Sequence, residues 1–165
     1  IASLLSFAQP ERLRLESVDA RDLIGEAIAR VHAGQGPRFE LWPIAVDCQP
    51  IALRIDRIQM RQALRNLIAN AVDCQPDGGR IHVEFHASEG EACCEVSDAG
   101  PGIRAELRDK VCEPFFTTRP DGTGLGLALV HTIVKLHGGR LKIAPAPSFL
   151  GGALVRIRLP LGAQS

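Results

Sequence analysis

A change of period between residues 56 and 98 constrains this chain more than any other feature. From Asp56 to about Cys74, the residues Met60, Leu64, Leu67, Ile68 and Ala71 gather on one side of a helix, while Gln62, Asn66, Asn70 and Asp73 gather on the other. After the turn Pro76-Asp77-Gly78-Gly79 the period drops to two. Ile81, Val83 and Phe85 then alternate with His82, Glu84 and His86 over Arg80 to His86, a strand with one buried side. A second strand, Ala92 to Asp98, pairs with it as a hairpin, and its alternation puts Asp98 on the same side as Val96, so a carboxylate points inward at a strand end. Such a carboxylate needs a partner.

The flanking segments extend this plan. Asp19 and Asp22 resemble an N-cap and its reciprocal acid before Leu23, Ile24, Ala27, Ile28 and Val31, which predicts a helix over about 19 to 32. Arg38 to Trp42 and Ala52 to Ile55 read as short strands. Residues 99 to 122 are rich in glycine and proline, with one brief helical stretch near Ala105 to Lys110, and read as a long functional loop or lid. An apolar helix follows from about Thr123 to Leu136, closed by Gly138-Gly139. The strands Arg140 to Ile143 and Ala153 to Leu159 end the chain, the second alternating Val155, Ile157 and Leu159 against Arg156 and Arg158. The expectation is an α+β two-layer sandwich, a mixed, mostly antiparallel sheet covered on one face by three helices, with its other face toward solvent or another domain.

Composition narrows the partners. The 165 residues, 45% hydrophobic and 23% charged, suit one globular domain. Lys plus Arg equal Asp plus Glu at 19 each, so no single-sign field argues for nucleic acid or for direct membrane contact. Cys48, Cys74, Cys93, Cys94 and Cys112 form no C-x-x-C pair, and an odd count without a secretory pattern reads as buried free thiols in a reducing, cytoplasmic compartment. The opening Ile1 and the run Leu4 to Ala8 before Pro10 resemble the last turns of a helix, so the expected division is a helical tail over 1–10 and one domain over 11–165 of a longer protein.

Four segments carry chemistry, each with two readings. Gly122-Thr123-Gly124-Leu125-Gly126-Leu127 at a helix start is either a tight turn or a set of uncovered amides for phosphate. No Gly-Lys-Ser/Thr follows, which excludes a Walker loop. Asp98-Ala99-Gly100-Pro101-Gly102 is either a strand-capping turn or a carboxylate that accepts from an exocyclic amine such as that of adenine, with glycines admitting a flat ligand. Asn70 either bonds nearby backbone or offers Mg²⁺ one neutral oxygen. Glu113-Pro114-Phe115-Phe116-Thr117-Thr118-Arg119 supplies either core aromatics or anchors for a lid with a cation beside incoming phosphates.

In this order, the four segments resemble the N, G1, F and G2 boxes of the ATP-binding domain of bacterial sensor histidine kinases, in the superfamily with gyrase, the Hsp90 chaperones and MutL. The likeness covers about Leu15 to Pro160, and the F-box segment is most similar to the nitrogen-regulation and dicarboxylate-transport type. It implies the Bergerat sandwich, with ATP and Mg²⁺ as cofactors. It implies that Asn70 ligates Mg²⁺, that Asp98 bonds the adenine amine beside Gly100 and Gly102, and that Gly122, Gly124 and Gly126 let a lid wrap the triphosphate. Nucleotide contact extends by the same likeness to Asn66, Asp73, Ile103, Thr117, Thr118, Arg119, Thr123, Leu125 and Leu127. Hydrolytic members carry a glutamate one turn before the metal-binding asparagine. Here that position is Asn66, which cannot serve as a base, so transfer is favoured over hydrolysis.

The catalytic residues implied are Asn70 and Arg119, the second standing where lysine is usual; Asp73 stands where many such kinases have a lysine that meets phosphate. None of the five histidines sits in a phosphoacceptor pattern. The implied partners are therefore a dimerisation and phosphoacceptor domain, whose helix 1–10 would end, and a response regulator. The parent would be a homodimer, membrane-anchored or not, and this piece a monomer. A serine-directed kinase of the anti-sigma type and a nucleotide-binding module without transfer are the alternatives.

Overall fold

A computed structural model describes residues 12–145 and 147–161; the expected tail over 1–10 lies outside the described residues. The first element of the described residues is β1 (Leu15–Asp19), absent from the sequence reading. Only Val18 of β1 is buried, so the strand lacks the alternation that would reveal it. Asp19 then caps α1 (Ala20–Gln35), accepting the backbone N–H groups of Arg21 at 2.8 Å and Asp22 at 3.3 Å. Asp22 thus contributes its backbone to the cap. Gly36 at φ 59 closes the helix three residues later than expected.

The strand expected over Arg38 to Trp42 is instead a 3₁₀ helix, Gly36–Leu41. Pro37 near its start fixes φ at a helical value and removes a donor, and the Trp42 N–H folds back onto the Phe39 carbonyl at 3.0 Å. The strand that follows is β2 (Ile44–Cys48), which the sequence reading missed. Among the described residues it is an edge strand that pairs only with β4, in parallel, and most of its residues are exposed. β3 (Ala52–Asp56) pairs antiparallel with β1 in a separate ribbon, and its last residue caps α2 (Arg57–Asp73) by accepting from Gln59 N at 3.0 Å.

β4 (Ile81–Ser88) and β5 (Glu91–Asp98) form the expected hairpin, β4 starting one residue later and ending two later and β5 starting one earlier, around Glu89 and Gly90, both at positive φ. After a long loop come α3 (Gly126–Leu136), β6 (Arg140–Ile143) and β7 (Leu154–Pro160). The main sheet has five strands in the order β2-β4-β5-β7-β6, antiparallel throughout except β2 with β4. The expected α+β sandwich is present, with the β1–β3 ribbon as an added feature.

One face of the sheet and the three helices share a core that includes Leu23, Ile24, Met60, Leu64, Ile68, Val83, Phe85, Val130 and Ile157. Each such side chain contributes roughly 1.5–3 kcal/mol by leaving water. The opposite face is charged and self-paired: Arg156 lies opposite Glu95 at 2.5 Å, and Arg140 grips Glu91 through two bonds of 2.6 and 2.8 Å. The Arg140 and Arg158 guanidiniums hold the Glu91 carboxyl below its usual range.

α1 and α2 are tied together by Glu26, which pairs with Arg57 and, at 3.0 Å, with Arg61. His137 joins α3 to α2 within the core: its Nε2 accepts the Asp56 N–H at 3.0 Å while Nδ1 lies 2.7 Å from the Ile133 carbonyl. Among the described residues no helix is long and apolar enough to cross a membrane.

Candidate functional site

The carboxylate that the strand period sends inward is Asp98, and the structure buries it to 6% exposure. Its Oδ1 accepts from Gly100 N at 2.9 Å and from Ala153 N at 3.0 Å, while its carbonyl accepts from Ser148 Oγ at 2.7 Å and Gly152 N at 3.0 Å. Two chain segments therefore clamp one residue. Buried polar groups left unpaired would each cost about 1–3 kcal/mol, so this clamp fixes the side chain's direction.

Close approach explains the glycines around it. A Cβ on Gly152 would overlap Asp98 Oδ1 and lie 2.5 Å from Gly100 N; a Cβ on Gly100 would lie 2.7 Å from Cys74 Sγ. Gly102 has φ +76, open to glycine at little cost. Gln75 braces the same loop from below. Buried at the end of α2, it accepts from Ala99 N at 3.3 Å, donates to Ala71 O at 2.9 Å, and its carbonyl receives the Trp42 indole N–H at 2.8 Å. Cys74 is half-buried beside Asp98, and burial, with the Asp98 charge second, pushes its thiol up to about 12. An open cavity of about 380 Å³ lies along Cys74, Gln75 and Gly100, and a smaller one of about 150 Å³ lies by Gly102, Ile103 and Gly152.

Asn70 and Asn66 lie on the half-buried side of α2, as the amide face predicted. Asn66 Oδ1 accepts from Arg65 at 3.2 Å. The Asn70 amide stands 3.6 and 3.7 Å from where a Gly126 Cβ would be, so it faces the start of α3. That start differs from expectation. Thr123 to Leu125 are not helical: Gly124 has φ +68, and Leu125 occupies the cap position with no side-chain bond to the first turn. The first α3 amides are thus uncapped by side chains, with Asn70 beside Gly126, a favourable setting for an anion.

Between Asp98 and α3 runs the loop. Its brief helix is a single 3₁₀ turn, Ala105–Leu107, shorter than expected. Ile103 is half-buried and its carbonyl accepts from Arg108 at 3.3 Å. Phe115 is 67% exposed at φ 67, its N–H bonded to Gly124 O at 2.9 Å. A Cβ on Gly124 would lie 2.7 Å from Phe115 Cα, so the two box segments touch backbone to backbone. Thr117 Oγ1 accepts from Arg119 N at 3.1 Å, and Gly122 N returns to Arg119 O at 3.2 Å. Thr118 and Thr123 are exposed, and Leu125 and Leu127 are half-buried near the α3 start. Arg119 reaches across to α2, where its guanidinium meets Asp73 at 2.7 Å.

The structure thus brings Asn70, Asp73, Arg119 and the Gly122–Leu127 segment to one edge and Asp98, Gly100 and Gly102 to another, with α2 common to both. Sequence reasoning passed over Gln75, Ser148 and Gly152.

Comparison with known proteins follows the same outline. The family described as "Histidine kinase-, DNA gyrase B-, and HSP90-like ATPase" matches residues 55–163. Sensor histidine kinase ZraS of Escherichia coli (strain K12) is 36% identical over 145 residues, which are 87% of this chain and 31% of that protein. The chain spans about a third of the length of the curated relatives it matches. Among solved structures, a mycobacterial sensor histidine kinase, MprB, superimposes with a TM-score of 0.78 at 33% identity, over 88% of this chain and 97% of that one. Full-length ShkA, crystallised in complex with AMPPNP, gives 0.79 at 29% identity over 96% of this chain and 34% of its own.

Proposed function

Since the chain belongs to the family of histidine kinase-, DNA gyrase B- and HSP90-like ATPases, we propose that it is the ATP-binding catalytic part of a sensor histidine kinase. The observation that carries this is the shared frame of α2. It sets an uncapped helix start and an amide oxygen at one edge of a site whose other edge holds a buried, pre-oriented carboxylate. In this reading Asp98 accepts from the adenine amine, Gly100 and Gly102 border the base with Ile103, and the 122–127 segment wraps the phosphates. The AMPPNP held by ShkA is in keeping with a nucleotide of this kind.

Asn70 supplies one neutral oxygen, which suits Mg²⁺, a cation that takes few protein ligands and keeps water and phosphate oxygens. When bound, Mg²⁺ neutralises phosphate charge. The rest falls to the chain: α3 amides and Arg119 orient the γ-phosphoryl group, and the lid excludes water. A histidine nitrogen outside this sequence attacks the γ-phosphorus as the bond to the bridging oxygen of ADP breaks. Asn66 stands where a water-activating acid would be needed, so hydrolysis has no base here. The phosphohistidine would pass its phosphoryl group to a response regulator, and its carrier would be a dimerisation domain.

Calorimetry with MgAMPPNP on wild type, Asp98→Asn and Asn70→Ala tests the assignment. Wild type binds, Asp98→Asn loses binding by at least about a hundredfold, and Asn70→Ala loses mainly the Mg²⁺-dependent gain. No binding by wild type up to millimolar nucleotide withdraws the reading.

A further inference from the structure

The edge proposed for the phosphates holds an ion pair between α2 and the loop. Asp73 is the last residue of α2, one turn beyond Asn70, and Arg119 belongs to the loop that leads into the glycine segment. Their 2.7 Å bridge is, among the described residues, the one ion pair that joins the 99–125 loop to the rest of the molecule. Backbone bonds carry its effect onward: Arg119 N to Thr117 Oγ1 and Gly122 N to Arg119 O couple the guanidinium's place to the start of the phosphate-wrapping segment. A carboxylate at this spot does two things at once. It holds the loop's cation against α2, and it occupies donors that a polyphosphate needs.

We propose that Asp73 is a positioning residue that holds Arg119 in the nucleotide-free chain and yields it to the ATP phosphates. This rests on the nucleotide reading above. The exchange is favourable because a guanidinium has five donors and one carboxylate uses part of them, while a triphosphate offers more oxygens and more charge. It is also readily reversible. Asp73 and Arg119 are 41% and 40% exposed, and pairs so open to water stabilise weakly. The glycine segment therefore closes in step with the exchange, since releasing Arg119 from α2 releases the backbone bonded to it.

The test is a cycle of Asp73→Asn, Arg119→Gln and the double variant, with affinities for MgATP and for adenosine measured on each. Asp73→Asn tightens MgATP about two- to fivefold, the range expected for an exposed pair, and leaves adenosine unchanged. Asp73→Glu restores the wild-type value. In the Arg119→Gln background the Asp73→Asn gain disappears. If the gain persists there, the carboxylate acts by repelling phosphate directly and the proposal falls. It falls equally if Asp73→Asn weakens MgATP, leaves it unchanged, or shifts adenosine by the same factor. If wild type binds both adenosine and MgATP but Asp73→Asn shows no gain, only this exchange falls, whereas wild type binding neither compound removes the nucleotide assignment itself and this exchange with it.

Discussion

The two edges of the site are held by opposite kinds of bond. Around Asp98 the chain uses bonds that are buried or partly so: two backbone amides on one carboxylate oxygen, a hydroxyl and an amide on its carbonyl, and Gln75 bracing the loop from inside. Around Arg119 it uses exposed ones: a bridge open to water on both sides, two bonds to a threonine hydroxyl, and a phenylalanine standing out from the surface. In the proposed reading, the base-binding edge is finished before ligand arrives, and the phosphate edge is not. Preformed geometry suits an adenine, whose shape never varies; breakable geometry suits phosphates that must enter, react and leave.

The strongest way to break this contrast is Gly152→Ala. The new Cβ would overlap Asp98 Oδ1 and sit 2.6 Å from its carbonyl oxygen, so the clamp must open. Nucleotide binding should vanish and chemical denaturation should show a loss of roughly 3 kcal/mol or more. Gly124→Ala strikes the other edge, forcing a side chain onto φ +68 and against Phe115. Its expected signature is selective in binding: MgATP affinity falls about tenfold or more while adenosine affinity stays close to wild type, with about 1–3 kcal/mol of stability lost to the strain. Equal loss of both ligands would erase the distinction between the edges.

The smallest effect concerns Cys74. With its thiol pushed from an ordinary 9.0 up to about 12 by burial and then Asp98, it stays protonated at neutral pH. Alkylation at pH 8 should be much slower in the folded chain than in urea. The folded value is the raised one, so the stabilisation is complete below pH 9 and drains away as pH rises toward 12. Cys74→Ser should remove its share of that alkaline decline. Cys48, Cys93, Cys94 and Cys112, all shifted upward by burial, keep theirs.

What could be read in the sequence was whatever obeyed a local period. The inward Asp98, the two faces of α2 and the α3 core stripe each repeat within a few residues, and the structure contains them. β1 and β2 were invisible because they are short and mostly exposed, with no alternating face to betray them. Pro37 turned an apolar run into a 3₁₀ helix, where hydrophobicity alone suggested a strand. The braces of the site escaped for another reason. Ser148 and Ala153 meet Asp98 from 50 and 55 residues away, and no spacing rule reaches that far. The four box segments were legible as a set, but the Asp73–Arg119 bridge between two of them was not.

His137 gives this division a mechanical side. Its ring pins the C-terminal end of α3 to the residue that caps α2, so the two helices that frame the site are fastened at the end remote from it. α3 is eleven residues long, about 16 Å at 1.5 Å per residue. With that end fastened and Ala128, Val130, Ile133 and Val134 packed in the core, a tilt of about 5° would move the unfastened end, Gly126, through roughly 1.4 Å by the same helix geometry, half a hydrogen-bond length.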